Sequence, residues 1–401
     1  MPQFLTREDL ERLDGEDELA PFRDRFQLPG QGLYFNGNSL GPRPLKTSGA
    51  MNEVLENHWG KKGGASWHDE DWMQRPFRTG DKIAKLIGAE PGEVVIAEST
   101  SLNLAKMTMV GLSLRPERKV IVTEKGNFPT DLYILKDIVK RSTGMELRVV
   151  ERSDLMNALD RECALLVLTH VNYKSSERHD MAALTARAHD VGALALWDLS
   201  HSSGAIAVDL NACDVDLAVG CTYKFLNGGP GAPAFLFVAE RHQHGAPALP
   251  GWMGHAAPFD FSSDYQPKIG IARHLSGTPP ILALASLECG VDMMVEAGIE
   301  KIAAKSSALG DYFIQLVEEQ LGDCGIVNIS PVKSDDRGAQ ICLKTDHAQA
   351  LVQALEGGGI IADFRPPNII RFGLAALYVR YQDLWDVVQT LKEEYERLIS
   401  Y

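Results

Sequence analysis

The chain has 401 residues, a formal net charge of −14 and six cysteines. It is too long for one simple core, and its length is typical of one large and one small domain. An acidic chain without a basic run argues against nucleic acid as a partner. No apolar stretch approaches the roughly 20 residues needed to cross a bilayer, so no membrane partner is expected. The scattered cysteines form no CxxC pair, which argues against a zinc site and indicates a reducing cytoplasm.

The first part of the chain is predicted to be mostly helical. Helical patterns cover 7–13 and 46–58, and a short extended piece with a turn lies between them at 34–42. We expect residues 1–60 to form an N-terminal arm and helix that belong to the small domain. The stretch 59–72 is rich in glycine and aromatic residues, which predicts a loop rather than a packed element.

From residue 93 to residue 238, apolar runs alternate with helical patterns. Strands are predicted at 94–97, 119–122, 147–150, 164–168, 193–197, 217–221 and 234–238, and the clearest helices at 102–114, 131–141 and 181–190. Continuous apolar strands separated by helices favour a mainly parallel, seven-stranded sheet with helices on both faces. Residues 61–280 are therefore predicted to form a large α/β domain. No GxGxxG follows the first strand, so a dinucleotide site is not supported.

Beyond residue 280 the pattern changes. Long helices are predicted at 281–297 and 299–321, followed by short strands and further helices: 326–329, 340–343, 347–355, 360–361, 369–372 and 382–398. We expect residues 281–401 to form a linking helix and a smaller C-terminal α/β domain.

The most informative feature is a lysine and an aspartate that each follow a predicted buried strand. Asp198 ends the apolar run 193–197, and Lys224 lies just beyond the run 217–221, before a glycine-rich turn. Singly, such residues are more often solvated or capping. As a pair they are what a pyridoxal phosphate (PLP) enzyme needs, because an amine condenses with the cofactor aldehyde while a carboxylate keeps the pyridine nitrogen protonated. Ligands of open parallel sheets collect at these strand ends.

Further candidates follow other predicted strands. Ser99 and Thr100 lie between a strand and a helix, which is typical of a phosphate site and equally of an ordinary helix cap. Phe128 could lie on the face of a pyridine ring, and Asp131 could reach its edge or cap the next helix. Additional candidates at strand ends or in loops are Thr169 with Tyr173, His201, Tyr223, Trp252 and Thr278.

Arg371 lies inside an apolar, strand-like run at 369–372. A buried arginine needs an anion. Two alternatives stay open at this point, a structural salt bridge and a clamp for the carboxylate of an amino-acid substrate.

Together these motifs resemble the kynureninase family, in its bacterial type. The resemblance rests on segments that span nearly the whole chain in the expected order: 34–41, 128–131, 197–201, 223–229, 251–254, 277–280, 367–371 and 377–378. It implies the fold of the aspartate-aminotransferase group, the PLP-dependent transferase-like fold type I. It also implies a homodimer, because Trp252 and Thr278 of such enzymes reach the site of the neighbouring subunit.

The resemblance also implies roles for individual residues. Lys224 would form the Schiff base with PLP, Asp198 would face the pyridinium, Arg371 would bind the substrate carboxylate, and Tyr223 is one candidate proton carrier. The implied cofactor shell comprises Ser99, Thr100, Phe128, Pro129, Thr130, Asp131, Thr169, Asp198, His201, Tyr223, Lys224, Trp252 and Thr278.

The activity implied is hydrolytic Cβ–Cγ cleavage of L-kynurenine to anthranilate and L-alanine in tryptophan catabolism and NAD biosynthesis, with 3-hydroxykynurenine as a second candidate substrate. The nearest alternatives are a cysteine desulfurase-like lyase or an aminotransferase on the same fold. A desulfurase needs a nucleophilic cysteine on a mobile loop, whereas Cys324 and Cys342 are predicted in or beside short strands. An inactive binding module would be expected to lack Lys224, Asp198 or Arg371.

Overall fold

The computed structural model of the protein describes residues 5–30 and 32–400. Helix α1 (Arg7–Glu16) is capped by Thr6, whose side chain forms a reciprocal capping box with Asp9. Short strands follow: β1 (Phe26–Gln27), β2 (Leu33–Tyr34) and β3 (Arg43–Pro44). β1 and β3 pair with each other in an antiparallel ribbon.

The segment after β3 is mostly helical as far as residue 87, with a turn at 70–74. Its elements are α2 (Thr47–Asn52), a π-helical segment (Glu53–Trp59), α3 (Gly60–Lys62), a 3₁₀ turn (Gly63–Ala65), α4 (Ser66–Asp69) and α5 (Arg75–Ile87). The prediction of a loop at 59–72 is therefore wrong. Trp67 and Trp72 pack edge to face with ring centroids 5.3 Å apart, which gives these short turns an apolar contact that the glycine content concealed.

The large sheet and its helices occupy the centre of the chain. Its strands are β4 (Val94–Ile96), β5 (Val120–Glu124), β6 (Glu146–Val150), β7 (Cys163–Thr169), β8 (Leu194–Asp198), β9 (Leu217–Gly220) and β10 (Phe235–Val238). The helices between them are α6 (Thr100–Ser113), α7 (Pro129–Arg141), α8 (Leu155–Ala158) and α9 (Met181–Asp190). The predicted seven strands are confirmed, each within two residues at either end.

The strand order across this sheet is β4-β10-β9-β8-β7-β5-β6. β5 to β9 pair in parallel, and β10 is antiparallel to both of its neighbours. β7, β8 and β9 are buried along their whole length, as expected of parallel strands covered on both faces. The predicted mainly parallel α/β fold is confirmed.

The C-terminal part contains a second, smaller sheet. Its elements in order are α10 (Ile281–Ala297), α11 (Ile299–Leu321), β11 (Val327–Asn328), β12 (Gln340–Lys344), α12 (Ala348–Gly357), β13 (Ile360–Ile361), β14 (Asp363–Arg365), β15 (Ile369–Gly373) and α13 (Tyr381–Ile399). β11, β12, β15 and β14 form an antiparallel sheet in that order. β14 was not predicted, because its three residues carry two charges and form no apolar run.

The N-terminal arm is joined to this C-terminal part. β2 pairs in parallel with β13, and the register places Leu33 opposite Ile360. The division into 1–60, 61–280 and 281–401 stays a prediction. No helix within residues 5–30 and 32–400 is both long and apolar enough to cross a membrane.

Candidate active site

Most of the predicted site residues converge at one edge of the large sheet. Thr169 is the last residue of β7 and pairs with Asp198, the last residue of β8. Lys224 follows the adjacent strand β9 after a short turn. Because parallel strands end at the same edge, these side chains meet there. One cavity is lined by Thr100, Ser101, Phe128, Thr130, Asp131, Thr169, Tyr173, Asp198, Ser200, His201, Tyr223 and Lys224.

Asp198, at the end of β8, is a buried wall of this cavity and is only 4% exposed. Its Oδ1 accepts hydrogen bonds from the backbone N–H of Ser200 at 2.8 Å and from the Ser200 hydroxyl at 2.6 Å. Burial raises the pKa of the Asp198 carboxyl, while the two hydrogen bonds from Ser200 and the charge of Lys224 oppose that rise.

A second buried carboxyl group lies close by. Asp131, in the first turn of α7, accepts a hydrogen bond from the Thr169 hydroxyl at 3.3 Å. Burial raises the pKa of Asp131 well above its ordinary value, and the charge of Asp198 adds to the rise. Two carboxyl groups that are costly to ionise without a partner make this end of the cavity suited to a cationic N–H group.

The amine of Lys224 contacts an imidazole. Its Nζ lies 2.8 Å from Nε2 of His201, which is 4% exposed. Burial lowers the pKa of His201 well below its ordinary value, and the positive charges of Lys224 and Arg371 lower it further. The imidazole is therefore neutral, and Nε2 is the nitrogen that accepts from the lysine.

The other end of the cavity is suited to an anion. Thr100 is the first residue of α6, and its buried hydroxyl has no hydrogen-bond partner among the described residues. Ser99 is the N-cap of the same helix, and its hydroxyl accepts a hydrogen bond from the backbone N–H of Leu102 at 3.4 Å. Of the two alternatives considered from the sequence, a phosphate site or a helix cap, the Ser99 side chain therefore forms the cap. A helix N-terminus with an unpaired hydroxyl is a phosphate-binding arrangement.

Two further predicted residues differ in position. Thr278 lines an adjoining cavity together with Ser99, Thr100 and Tyr223. Trp252 lines neither cavity, and its ring packs against Phe259 with centroids 6.0 Å apart. Within one chain, the structure therefore brings Thr278 near the anion-binding end and leaves Trp252 outside the site.

An aromatic wall borders the cavity. Phe128 is the N-cap residue of α7, and Pro129 follows at the first helical position, where its ring sets the helix start. The Phe128 ring meets Tyr173 edge to face, with centroids 5.1 Å apart. Phe128 is thus held at the mouth of the cavity rather than in the core, and is 37% exposed.

Arg371 reaches the site from the small sheet. It is 1% exposed, forms an ion pair with Asp363 directly opposite on β14, and donates from Nη1 to the carbonyl oxygen of Tyr173 at 2.7 Å. Its Nε is buried and has no partner in the described chain. Burial lowers the pKa of the guanidinium, and Asp363 opposes that shift. The salt bridge considered from the sequence is thus present, and one donor is still available.

Sequence reasoning missed several residues at the site. Ser200 holds Asp198 and is separated from it by one residue, so the Asp-Leu-Ser-His segment contained a usable signal. Asn127 accepts from the backbone N–H of Thr169 at 3.1 Å. Gln340 and Asp363 come from the small sheet, and no local pattern connects them with a site at residues 198–224.

Comparison with known sequences agrees with these observations. Residues 302–391 match the family described as "Kynureninase C-terminal domain". The kynureninase of Burkholderia pseudomallei (strain K96243) is 43% identical over 395 residues, covering 97% of this chain and 95% of that protein. The kynureninase of Pseudomonas fluorescens is 43% identical over 403 residues, covering 98% of this chain and 96% of that protein.

Solved structures show the same fold at low identity. A cysteine desulfurase of Escherichia coli superposes with a TM-score of 0.78 at 18% identity, covering 95% of this chain and 99% of that one. A variant of the lyase C-DES, with glycine covalently linked to its PLP cofactor, superposes with a TM-score of 0.77 at 16% identity, covering 90% and 96%. The predicted fold type I is confirmed.

Proposed function

The chain belongs to the kynureninase family, and from this premise we propose that it hydrolyses the Cβ–Cγ bond of L-kynurenine to anthranilate and L-alanine. This makes it a PLP-dependent hydrolase of carbon–carbon bonds, with 3-hydroxykynurenine as a second candidate substrate. The observation that carries the proposal is the amine of Lys224, 2.8 Å from His201, in one cavity with the buried carboxyl of Asp198.

The cavity suits PLP at both ends. The unpaired Thr100 hydroxyl at the start of α6 would bind the phosphate, and the buried Asp198 would face the pyridinium. Phe128 would cover one face of the ring, and Lys224 would attach the cofactor covalently. When bound, PLP supplies an electron sink for the substrate Cα.

Lys224 is the group best placed to move the substrate's Cα proton. Once the amine of Lys224 is free, its Nζ is a base that can take the Cα proton and return it. His201 Nε2 accepts from Nζ and so holds the amine in one orientation. Asp198 would keep a proton on the pyridine nitrogen, because a buried carboxylate is stabilised by an N–H cation in contact with it.

The remaining groups would bind substrate and handle the second proton transfer. Arg371 has a free Nε donor for the α-carboxylate, beside an Nη1 already fixed on the Tyr173 carbonyl. Burial raises the pKa of the Tyr223 phenol above its ordinary value, so the hydroxyl keeps its proton at neutral pH and can donate it. We propose Tyr223 as the donor near the leaving carbon.

A homodimer would complete the site. Trp252 is 37% exposed, and Phe261 and Ile269 in the same long loop are 85% and 93% exposed. Exposed large apolar side chains clustered in one segment are typical of protein interfaces. Mixing an inactive Lys224→Ala chain with a Trp252→Ala chain should restore partial activity if the loop serves the neighbouring site, and no recovery in mixed dimers would contradict this.

The state of the cysteines separates this proposal from a desulfurase. All six are free thiols. Cys342 lies within β12, and burial raises its pKa to about 11, so it is a poor nucleophile. Burial likewise raises the pKa of Cys221, near Lys224. Free, unreactive thiols favour the kynureninase reaction over a desulfurase and support our placement of the enzyme in a reducing cytoplasm.

The decisive test is turnover by the purified protein. We expect a yellow holoenzyme whose visible band is removed by borohydride, and release of fluorescent anthranilate on addition of L-kynurenine. Peptide mapping after reduction should find the cofactor on the peptide that contains Lys224. A PLP-loaded protein that releases no anthranilate but transaminates or desulfurises amino acids would overturn the proposal.

A further inference from the structure

A buried lysine that the proposed mechanism does not use lies behind the anion-binding end of the site. Lys106 is on α6, the helix whose first residue is Thr100, and it is 1% exposed. Burial lowers the pKa of its amine, and the carboxylate of Glu98 opposes that shift. Lysine is almost never fully buried unless its amine is paired, so the partners of Lys106 indicate what it does.

The amine of Lys106 is attached mainly to the segment that leads into α10. Its Nζ donates to the carbonyl oxygen of His274 at 2.6 Å and to the hydroxyl oxygen of Ser276 at 3.1 Å. The carboxylate of Glu98 lies farther away, 3.4 Å from Nζ. An ammonium group has three hydrogens to donate, and these three acceptors match that number.

The Ser276 hydroxyl joins this attachment to another segment. Because its oxygen accepts from Lys106, its single hydrogen is free to be donated, and it is donated to the carbonyl oxygen of Leu249 at 2.8 Å. The carbonyl oxygen of Ser276 accepts from the backbone N–H of Met253 at 3.3 Å. Ser276 is therefore held from two sides, by α6 and by the segment 249–253.

The neighbours of these attached residues line the cavity that adjoins the site. From this segment and from the start of α6, the lining residues are Leu275, Gly277, Thr278, Ser99 and Thr100. The segment 275–280 is neither helix nor strand, and Thr278 is exposed. Since strand pairing does not fix this segment, the position of Thr278 depends on the contacts made just before it.

We propose that Lys106 is a positioning residue whose hydrogen bonds to His274 and Ser276 hold Thr278 at the anion-binding cavity, where the Thr278 hydroxyl donates to the phosphate of PLP. That the anion is this phosphate rests on the proposed function. The Thr100 hydroxyl, without a partner in the described chain, lines the same cavity. Hydroxyl groups from two separate segments would then bind one phosphate, and Lys106 would fix the distance between those segments.

Charge pairing with Glu98 is the competing explanation for a lysine at this position. Glu98 also lines the cavity, and an unpaired carboxylate there would repel a phosphate. The two explanations predict different results. Loss of the hydrogen bonds to the 274–276 segment would weaken phosphate binding only through Thr278, whereas loss of the charge would weaken it whether or not Thr278 is present.

The test compares binding of PLP with binding of pyridoxal, the same aldehyde without a phosphate group. Lys106→Met keeps the length of the side chain and removes its donors. Its Kd for PLP should rise about 10- to 100-fold, as expected for loss of one hydrogen bond to a charged group. Its Kd for pyridoxal should stay close to the wild-type value. Titration of the cofactor's visible band measures both constants without turnover.

A milder variant and a matched control accompany this test. Ser276→Ala removes one partner of Lys106 at a partly buried residue, and it should raise the Kd for PLP by a smaller factor. The control is Lys305→Met. Lys305 is also buried and donates to Asp17 and to the carbonyl oxygen of Ala376, both at 2.7 Å, but lines neither site cavity. It should leave the ratio of the two Kd values unchanged, and thermal melts should show that all variants are folded.

A double-variant cycle decides whether Lys106 acts through Thr278. In a Thr278→Val background, Lys106→Met should raise the Kd for PLP much less than it does alone. An equal rise in both backgrounds would assign the effect to charge pairing with Glu98 and overturn the inference. A wild-type Kd for PLP in Lys106→Met, or an equal rise for PLP and pyridoxal, would also overturn it. Failure of the wild-type enzyme to cleave L-kynurenine would instead reject the proposed function, and the two Kd values would still judge Lys106.

Discussion

The two sheets contribute to the site in different ways. The large sheet supplies Asp198, Thr169 and Lys224 from the ends of adjacent parallel strands, and backbone pairing sets their spacing. The small sheet supplies Arg371 and Gln340 from β15 and β12, two strands that pair with each other. Each of these two residues has one polar atom without a partner in the described chain, Nε in Arg371 and the amide oxygen in Gln340.

We infer from this difference that the large sheet supplies the catalytic groups and the small sheet the substrate-binding groups. On the large-sheet side, buried carboxyl groups and an amine are assembled before any ligand arrives, as electrostatic catalysis requires. On the small-sheet side, buried hydrogen-bonding atoms without a partner in the described chain remain, as binding a polar substrate group requires. We therefore expect substitutions on the large-sheet side to affect mainly kcat and those of substrate-contacting groups on the small-sheet side to affect mainly KM.

The largest effect is expected for Lys224→Ala. Loss of the base that moves the Cα proton should reduce kcat by about 10⁴-fold, the upper end for a general base. The variant should still bind PLP without a covalent bond, which borohydride reduction and mass analysis would show. Lys125→Ala, at an exposed lysine, is the matched control. Full activity of Lys224→Ala would remove the assignment.

The second largest decrease in kcat is expected for Asp198→Asn. An asparagine keeps the shape of the side chain but cannot hold the pyridine nitrogen protonated, so kcat should fall by about 10²- to 10³-fold, as for loss of one preorganised electrostatic contact. KM should change little. Stopped-flow anthranilate fluorescence would measure the effect, and a KM change larger than the kcat change would contradict the division between the two sides.

Arg371→Ala tests the opposite side. Removal of a charge-assisted hydrogen bond to the substrate carboxylate should cost about 2 kcal/mol, or roughly 30-fold, expressed mainly in KM. Steady-state kinetics with L-kynurenine would measure it. Arg365→Ala, at the neighbouring arginine that also pairs with Asp363, serves as the control. A loss confined to kcat would show that Arg371 is only a structural partner of Asp363.

The last two predictions concern stability rather than turnover: the same substitution made on each side should change the free energy of unfolding with opposite signs. Burial raises the pKa of Asp131, so its ionisation opposes folding of the cofactor-free protein at pH values above the ordinary pKa near 3.9. Asp131→Asn should then be more stable than wild type at neutral pH, and the difference should vanish as pH falls below that value. Urea denaturation at several pH values would measure this.

Asp363→Asn should instead destabilise the protein. It removes the carboxylate that pairs with the buried Arg371, at a cost of about 3 kcal/mol. The same urea series would provide the comparison. Destabilisation by both variants would show that Asp131 is an ordinary structural carboxyl group. It would also show that the arrangement of carboxyl groups on the large-sheet side does not lower the free energy of unfolding.

The local sequence pattern was sufficient to predict many of the strands and site residues of this protein. Seven mainly apolar runs predicted seven strands, and residues that follow those runs closely, such as Asp198 and Lys224, lie together because parallel strands end at one edge. The loop predicted at 59–72 failed because glycine content outweighed the packing of Trp67 on Trp72. That contact depends on how the chain folds back, which composition does not record.

The sequence by itself determined the seven strands of the large sheet, its mainly parallel character and the residues at its strand ends, because burial and strand period follow from short-range pattern, whereas the strand order and the antiparallel direction of β10 appear only in the tertiary structure. Only the tertiary structure decided what the small sheet contributes. Arg371 left two alternatives open until Asp363 was found opposite it on β14. The hydrogen bonds from Gln340 to the carbonyl groups of Asn172 and Tyr173 likewise join the small sheet to a segment far away in the chain.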